Sequence, residues 1–130
     1  MTKLSERSRR NLVGVHADLV RVVRTAHKLT EGQVLSFIVT SGVRTPAEQA
    51  KLVASGASTT TNSRHLSGHA VDLAATVEHA VRWDWPLYDR LYEIMLRASE
   101  MEKVPIEWGG HWKTFRDGPH YQLPWKEYPL

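Results

Sequence analysis

Apolar residues recur at helical spacing near the start of the chain and again in its second half. We therefore predict one amphipathic helix over residues 5–29, beginning at Ser5 and ending in the segment 30–32. Its apolar positions are Leu12, Val15, Leu19, Val22, Val23, Ala26 and Leu29. Another helix is predicted over 85–101, because its apolar residues also share one face. Those residues are Leu87, Leu91, Ile94, Met95 and Ala98.

Capping residues and β-branched runs predict a further helix and a small set of strands. In RTPAEQAKLVASG, Thr45 suits the cap of a helix, Pro46 its first turn and Gly56 its end. β-branched and aromatic residues predict a buried strand over 33–41, and a weaker alternation predicts another over 68–75. Short strands are expected in PIEW and PHYQL, and a polar loop is expected in ASTTTNSR.

The order of these elements indicates the fold class. Strands and helices do not alternate regularly, which favours an α+β fold with a small antiparallel sheet and flanking helices over a doubly wound sheet. A chain of 130 residues fits one compact domain, residues 1–130, with a core that needs no disulfide or metal support. No internal repeat, low-complexity tract or linker divides it.

Composition narrows the chemistry that is available to the chain. There is no cysteine, so a metal site must use His, Asp or Glu, and cysteine nucleophiles are excluded. The net charge of +3 favours anionic partners: nucleic acid, acidic lipid or an anionic cell-wall polymer. No nucleic-acid partner is expected, because no long basic run or nucleic-acid-binding motif is present. Neither a signal peptide nor a membrane span is expected, so synthesis in a cytoplasm is the prediction.

Histidines and acids in SRHLSGHAVD indicate a metal site. His65 and Asp72 stand seven residues apart, and a turn at Gly68 would let both reach one ion. Zinc accepts both as ligands, and a catalytic zinc needs a third protein ligand and an open position for water. The best source of that ligand is His120 in RDGPHY. Asp117, three residues earlier, can lie beside the attacking water and move its proton.

The other histidines have a simpler interpretation. His69 is an alternative ligand, but in a strand its side chain would lie on the face opposite Asp72, so we expect it not to bind the metal. His16, His27 and His79 lie in or beside predicted helices with no carboxylate at ligand spacing in a loop. We expect these three to be surface or packed residues.

Three blocks of the sequence, in order, resemble those of the superfamily of L-alanyl-D-glutamate peptidases and zinc D-Ala-D-Ala carboxypeptidases. SRHLSGHAVD matches the pattern S-x-H-x-x-G-x-A-x-D at every fixed position. EWGGHWKTFRDGPHYQL resembles the segment that ends in D-x-x-H, and SGVRTPAEQAKLVASG resembles the upstream segment G-x-R-T-x-x-x-Q. Together the blocks cover roughly residues 39–123.

The resemblance implies a hedgehog/DD-peptidase-like fold and one zinc ion per chain, held by His65, Asp72 and His120. It implies that Asp117 is the general base and acid, and that Arg44 stabilises the oxyanion or a substrate carboxylate. The implied partner is a peptidoglycan stem peptide, cut at its L-Ala–D-Glu bond as by single-domain phage endolysins. Such a protein would act as a monomer on the cell wall after release from the host cytoplasm.

Five further residues are expected to line the cleft or brace the site: Ser63, Gln49, Glu107, Trp112 and His111. A metal-bound water makes a serine nucleophile unnecessary, so Ser63 is expected to brace the loop that carries the ligand. Gln49 is expected to orient Arg44. Glu107 is an alternative base, His111 lines the cleft or lies on the surface, and at least one of Trp108 and Trp112 is expected in the core.

Two other functions remain open at this point. A D,D-carboxypeptidase or dipeptidase of the same superfamily would differ in the bond cut but not in the chemistry. A non-catalytic zinc-binding or basic binding module would belong to another class. The presence of Asp117 speaks against the binding module, because a structural metal site needs no base.

Overall fold

A computed structural model of the chain describes residues 4–58, 60, 63–114 and 116–129. Within these residues the chain forms four α-helices, five strands and two short 3-10 turns. The helices are α1 (Glu6–Asn11), α2 (Ala17–Leu29), α3 (Pro46–Ala54) and α4 (Trp85–Glu102). The strands are β1 (Leu35–Ser41), β2 (Ala70–Val77), β3 (Ala80–Arg82), β4 (Glu107–Trp108) and β5 (His120–Gln122). The 3-10 turns are Arg64–Ser67 and Gly109–His111.

The strands form one antiparallel sheet around β2, the longest strand. β1 pairs along one edge of β2, while β5 pairs with the first half of its other edge and β3 with the second half. β4 pairs with the outer edge of β5. With helices packed against this sheet, the predicted α+β class with a small antiparallel sheet is confirmed.

The register of the sheet places one acidic residue at a junction of three strands. Asp72 of β2 lies opposite Ser41 of β1 and opposite His120 of β5. The pairing of β1 with β2 shifts between Val39 and Ser41, next to this position. A carboxylate in the middle of the sheet is thereby held by backbone pairing on both sides.

Helices α2 and α4 pack on each other and on the sheet through the apolar faces that the sequence predicts. Each fully buried aliphatic side chain contributes roughly 1.5–3 kcal/mol relative to exposure, so this face accounts for much of the stability of the fold. The fully buried residues of the two helices are Leu19, Val22, Val23, Ala26, Leu91, Met95 and Ala98. No helix within the described residues is both long and apolar enough to cross a bilayer.

The prediction of a single helix over 5–29 is wrong, because the chain breaks between α1 and α2. Gly14 adopts φ +83°, and His16 is extended and caps α2, its Nδ1 accepting from Asp18 N at 3.1 Å. The His16 amide donates to the Gly68 carbonyl at 2.8 Å. Apolar spacing continues through the break because both helices pack on the same core. The break therefore brings the start of the chain against the loop of the predicted ligands.

The short strand β3 was not predicted. It forms a hairpin with β2, in which Glu78 and His79 adopt φ 49° and φ 72°. Two consecutive residues with positive φ are typical of a type I′ turn, which usually contains Asn or Gly. The dipeptide Glu-His lacks that signal, so the turn between β2 and β3 could not be predicted from residue types.

The predicted helix after residue 44 is confirmed in detail. Thr45 Oγ1 accepts from Glu48 N at 3.1 Å, and Glu48 Oε1 accepts from Thr45 N at 2.9 Å, which completes a capping box. Gly56 follows the helix with φ +80°, as expected of a residue that ends it. Of the predicted loop ASTTTNSR, residues 59, 61 and 62 lie outside the described residues.

Candidate active site

Three side chains from different elements bring one ligand atom each to a common point. His65 Nε2, from the turn before β2, lies 3.3 Å from Asp72 Oδ1. His120 Nδ1, from β5, lies 3.3 Å from the same oxygen. These atoms all lie within 4.8 Å of one another. His65, Asp72 and His120 could therefore hold a metal ion, as the sequence predicts, and we call these three residues the metal group.

The opposite edge of each imidazole ring is already hydrogen bonded, which fixes the tautomer. His65 Nδ1 lies 2.7 Å from the Gly42 carbonyl oxygen, which can only accept, so this nitrogen carries the proton. His120 Nε2 lies 2.7 Å from Gln122 Oε1 and donates to it. The remaining nitrogens, His65 Nε2 and His120 Nδ1, face Asp72 Oδ1. A proton on either nitrogen would leave when its lone pair binds a cation, because histidine ligates metals as the neutral imidazole. Hydrogen bonds of this kind orient metal-ligating histidines.

The donor atoms fit a divalent cation. Among the described residues, His65 Nε2 and Asp72 Oδ1 are buried without a hydrogen-bond partner. A buried polar atom in that state costs about 1–3 kcal/mol, and coordination of a cation would remove the cost. Two imidazole nitrogens and one carboxylate oxygen, with room for water, form a donor set of catalytic metal sites.

The local charges keep the central carboxylate ionised. Burial alone would raise the pKa of Asp72, but the imidazoles of His120 and His65 outweigh burial and hold this pKa below its usual range. A metal ligand must be deprotonated to bind. Asp72 therefore meets this condition throughout the neutral range.

Three nitrogen atoms of Arg44 are hydrogen bonded to the protein, and its side chain also lines the cleft beside the histidines. Its Nη2 donates to Asp72 Oδ2 at 2.7 Å, its Nη1 to Gln49 Oε1 at 3.1 Å and its Nε to Ser41 Oγ at 3.2 Å. Gln49 is buried and donates to Ser58 Oγ at 2.9 Å. Arg44 thus occupies one carboxylate oxygen of Asp72 and leaves the other facing the histidines. Gln49 orients Arg44, as the sequence analysis expects.

We expect Arg44→Lys to weaken metal affinity by about 10–100-fold, as is common when a residue that supports a metal ligand is changed. Lysine cannot contact Asp72, Gln49 and Ser41 together, because it lacks the planar fork of the guanidinium. Competition with a chromophoric chelator measures the affinity. Arg97→Lys, on the exposed side of α4, is the control. Unchanged affinity with a lowered kcat would instead assign Arg44 to the substrate.

Asp117 lies in the same cleft as the three ligands and is partly buried. Burial raises the pKa of this carboxyl, and the negative charge of Asp72 raises it further. The positive charges of His120, His65 and Arg44 oppose the rise without cancelling it. A carboxyl group with a raised pKa beside a metal group is suited to accept and return a proton.

The loop that carries Asp117 is held by Gly109 and Trp108, whose contacts with this loop were not predicted from the sequence. The Asp117 amide donates to the Gly109 carbonyl at 3.0 Å, and Trp108 Nε1 donates to the Gly118 carbonyl at 2.7 Å. A Cβ atom at Gly109 would lie 2.3 Å from the Asp117 carbonyl oxygen. Only glycine lets the two segments approach this closely, so Gly109, the first glycine of WGGH, positions Asp117.

Three of the other predicted residues support the ligands or line the cleft. Ser63 Oγ accepts from the His65 amide at 3.2 Å and caps the turn that carries this ligand. The Trp112 ring lies 4.8 Å from the His120 ring and lines the cleft. Glu107 also lines the cleft and accepts from Gln122 Nε2 at 3.5 Å.

The remaining aromatic and histidine candidates lie outside the metal group. His111 packs on Tyr92 and Trp108, with ring centroids 4.7 and 4.9 Å away, and does not line the cleft. Of the two positions that the sequence left open for His111, the structure shows the exposed one. Trp108 is buried in the core, as expected for at least one tryptophan of this segment. His69 Nδ1 lies 2.6 Å from Ser67 Oγ and contributes no atom to the metal group.

Two contacts that support the histidines were not predicted, and only one of them has a signal in the sequence. Gln122 stands two residues after His120 in β5, so both side chains share a face of the strand. The spacing H-x-Q could have indicated this partner. The Gly42 carbonyl that holds His65 is a backbone atom, and no residue type in the sequence marks it.

His65, Asp72, His120 and Asp117 open on a cleft of about 600 Å³. Aromatic side chains from three parts of the chain, Trp83, Trp112 and Trp125, form part of its walls. A metal group at one end of an open cleft, beside a carboxyl with a raised pKa, is the arrangement of metal-dependent hydrolases. Fold and site together therefore indicate a hydrolase whose site could hold a metal ion.

Comparison with known proteins gives the family. Residues 1–123 match the family described as phage L-alanyl-D-glutamate peptidase. The chain belongs to this family, and the resemblance found in the sequence is confirmed.

Two individual relatives and one solved structure support the assignment to this family. The chain is 32% identical over 122 residues to the L-alanyl-D-glutamate peptidase of Listeria phage A118, covering 92% of this chain and 42% of the relative. It thus spans well under half the length of that relative. It is 25% identical over 119 residues to the L-alanyl-D-glutamate peptidase of Escherichia phage T5, which covers 88% of this chain and 85% of that relative. The crystal structure of Serratia marcescens L-Ala D-Glu endopeptidase ChiX matches with a TM-score of 0.88 and 43% identity. The match covers 99% of this chain and 95% of ChiX.

Proposed function

We propose that the protein is a zinc-dependent endopeptidase that hydrolyses the L-Ala–D-Glu bond of peptidoglycan stem peptides. The observation that carries this proposal is the convergence of His65, Asp72 and His120 beside Asp117 in one cleft. Membership of a family whose relatives are named L-alanyl-D-glutamate peptidase supports the bond. The whole chain is proposed to act as one catalytic domain and as a monomer.

One zinc ion per chain is proposed, held by His65 Nε2, Asp72 Oδ1 and His120 Nδ1. Zinc binds imidazole and carboxylate ligands, and with three protein ligands it keeps a fourth position open. When bound, it lowers the pKa of a coordinated water toward about 7 and polarises the scissile carbonyl.

Asp117 is proposed as the general base and then the general acid. Its carboxylate takes a proton from the attacking water and gives that proton to the amine of the D-Glu residue as the peptide bond breaks. The pKa of Asp117 is raised toward the working pH, so the carboxyl can both accept and return a proton, which favours both transfers. Glu107 contacts Gln122, which holds His120, so it is proposed to support the ligand.

The location follows from the substrate. A protein of this family is proposed to be synthesised in a host cytoplasm and to act on the cell wall after release. Its net charge of +3 favours approach to an anionic envelope.

We expect Gly109→Ala to lower activity at least tenfold and stability by about 1–3 kcal/mol, the usual cost of forcing extra volume into a packed site. The added methyl group would collide with the Asp117 carbonyl and displace the base. Thermal unfolding and turnover per folded molecule measure the two effects. Gly56→Ala is the control: its Cβ would contact nothing within 4 Å, so it keeps full turnover, although its φ of +80° makes alanine there cost some stability. Wild-type turnover in Gly109→Ala would contradict the positioning of Asp117.

Digestion of purified peptidoglycan, followed by mass spectrometry, tests the proposed function. We expect stem peptides released with D-Glu at their amino end, and glycan strands that retain only L-Ala. Release of terminal D-Ala alone would support a D,D-carboxypeptidase. The absence of any cleavage by the zinc-loaded protein would support a binding module.

A further inference from the structure

A buried arginine next to the first histidine ligand organises the segment that follows β5. Arg64 donates from Nη2 to the carbonyl oxygens of Leu123 and Tyr128, each at 2.8 Å, and from Nε to Leu123 at 3.2 Å. It is only 2% exposed. These bonds hold residues 123–128 against the cleft, and all but the first lie beyond the part of the chain that matches the family.

The same guanidinium fixes an aromatic ring in the cleft wall. The Arg64 guanidinium carbon lies 4.1 Å from the centroid of the Trp125 ring, a cation–π contact that holds the ring in place. Trp125 nevertheless remains 41% exposed and lines the cleft that holds the metal group. Trp125 is therefore a flat apolar surface that is open to a ligand and costs little to order when the ligand binds.

The chemistry of peptidoglycan indicates which group would contact such a surface. The side chains of L-Ala and D-Glu are small or charged and contain no ring, whereas the glycan consists of pyranose rings. The L-Ala amino group forms an amide with the lactyl carboxyl group of N-acetylmuramic acid, so only L-Ala lies between this sugar residue and the bond that is cut. The apolar C–H face of a pyranose ring can pack on an indole ring and bury both surfaces.

We propose that Trp125 is a stacking platform for the N-acetylmuramic acid ring of the substrate and makes the enzyme prefer stem peptides that are still attached to glycan. This inference rests on the proposed function, because it assigns the sugar-binding part of the same substrate. Arg64 is a positioning residue in this arrangement, since it acts through Trp125 and the backbone of the segment that carries it.

Paired substrates test the platform. Both contain L-Ala–D-Glu, and only one carries N-acetylmuramic acid on the L-Ala amino group. For the wild-type enzyme we expect kcat/KM to be at least tenfold higher with the sugar, mainly through KM. Trp125→Ala should bring this ratio close to one, because it lowers kcat/KM much more for the sugar-bearing substrate than for the sugar-free peptide, while Trp125→Phe should keep part of the preference.

Trp85→Ala is the matched control. Trp85 is also 41% exposed and also contacts a guanidinium, that of Arg116 at 4.3 Å, but it does not line the cleft. This variant should keep the wild-type ratio. No sugar preference in the wild type, an equal loss on both substrates in Trp125→Ala, or the same change of ratio in Trp85→Ala would overturn the proposal.

A binding measurement separates failure of the platform from failure of the proposed function. A peptide-free disaccharide of N-acetylglucosamine and N-acetylmuramic acid is titrated into the zinc-loaded protein, and the indole N–H signals are followed by NMR. We expect the Trp125 signal to shift in the wild type and the affinity to fall at least tenfold in Trp125→Ala. If neither peptide is cleaved but this binding occurs, the peptidase proposal fails and the platform stands; no binding overturns the platform.

Discussion

The variant Asp117→Asn is expected to keep one zinc ion per chain and to lose activity by a factor of about 10²–10⁴, the usual contribution of a general acid–base group. Asparagine has nearly the shape of aspartate, so the loop held by Gly109 and Trp108 should keep its position. Its amide cannot accept the proton of the attacking water at neutral pH. The loss should therefore appear in kcat, while metal binding is unchanged.

Elemental analysis and steady-state kinetics on a defined peptide measure these two properties of Asp117→Asn. Glu107→Gln is the control, because it removes the other carboxylate that lines the cleft near the ligands. We expect that control to lose much less activity than Asp117→Asn. Near wild-type turnover in Asp117→Asn, together with a large loss in Glu107→Gln, would move the base to Glu107.

The second large effect concerns the metal itself. The variant His65→Ala is expected to fall from one zinc per chain to nearly none at zinc concentrations that saturate the wild type, and to lose essentially all activity. It removes Nε2, one of the three converging donor atoms. Chelation of the wild-type protein should have the same effect on activity, and stoichiometric zinc should restore the wild type but not His65→Ala.

His69→Ala is the matched control for His65→Ala. The two histidines lie on either side of Gly68, but His69 contributes no atom to the metal group. It should keep one zinc per chain. Zinc should also raise the melting temperature of the wild type and of His69→Ala, because a ligand that binds only the folded state stabilises it. Full zinc occupancy in His65→Ala would exclude this histidine as a ligand.

The metal group was predictable from the sequence because its geometry follows from local rules. Gly68 adopts φ +77°, and a Cβ atom there would lie 2.5 Å from the Gly14 carbonyl oxygen. This close turn leads His65 back toward β2, which carries Asp72. His120 needed only to stand opposite Asp72 on a neighbouring strand, and the sequence predicted a short strand beginning close to that residue.

The role of Arg44 was less visible from the sequence. A guanidinium near a metal site can bind a developing oxyanion, a carboxylate of the substrate or a metal-binding carboxylate of the protein itself. The residue type alone does not distinguish these three partners. The structure places Arg44 against Asp72, because Ser41, which lies opposite Asp72 in the sheet, also contacts the arginine. That choice depends on strand register, which a single sequence does not define here.

The fold was predictable where periodicity and capping agreed, and not where tertiary contacts decided. Helix α3 carries its cap in its own sequence, through Thr45 and Glu48. The division between α1 and α2 depends on the bond from His16 to the Gly68 carbonyl, whose partners are far apart in the chain. The positioning of Asp117 by Gly109 likewise depends on how closely two segments approach.

Hydrolysis of one defined substrate in ¹⁸O-labelled water tests the central claim most directly. The substrate is a muramyl stem peptide that contains L-Ala, D-Glu and a terminal D-Ala, and the enzyme carries one zinc per chain. The account predicts a single ¹⁸O atom in the new carboxyl group of L-Ala and a second fragment that begins with the D-Glu amine. Label at any other new carboxyl group, or equal cleavage by Asp117→Asn, would contradict it.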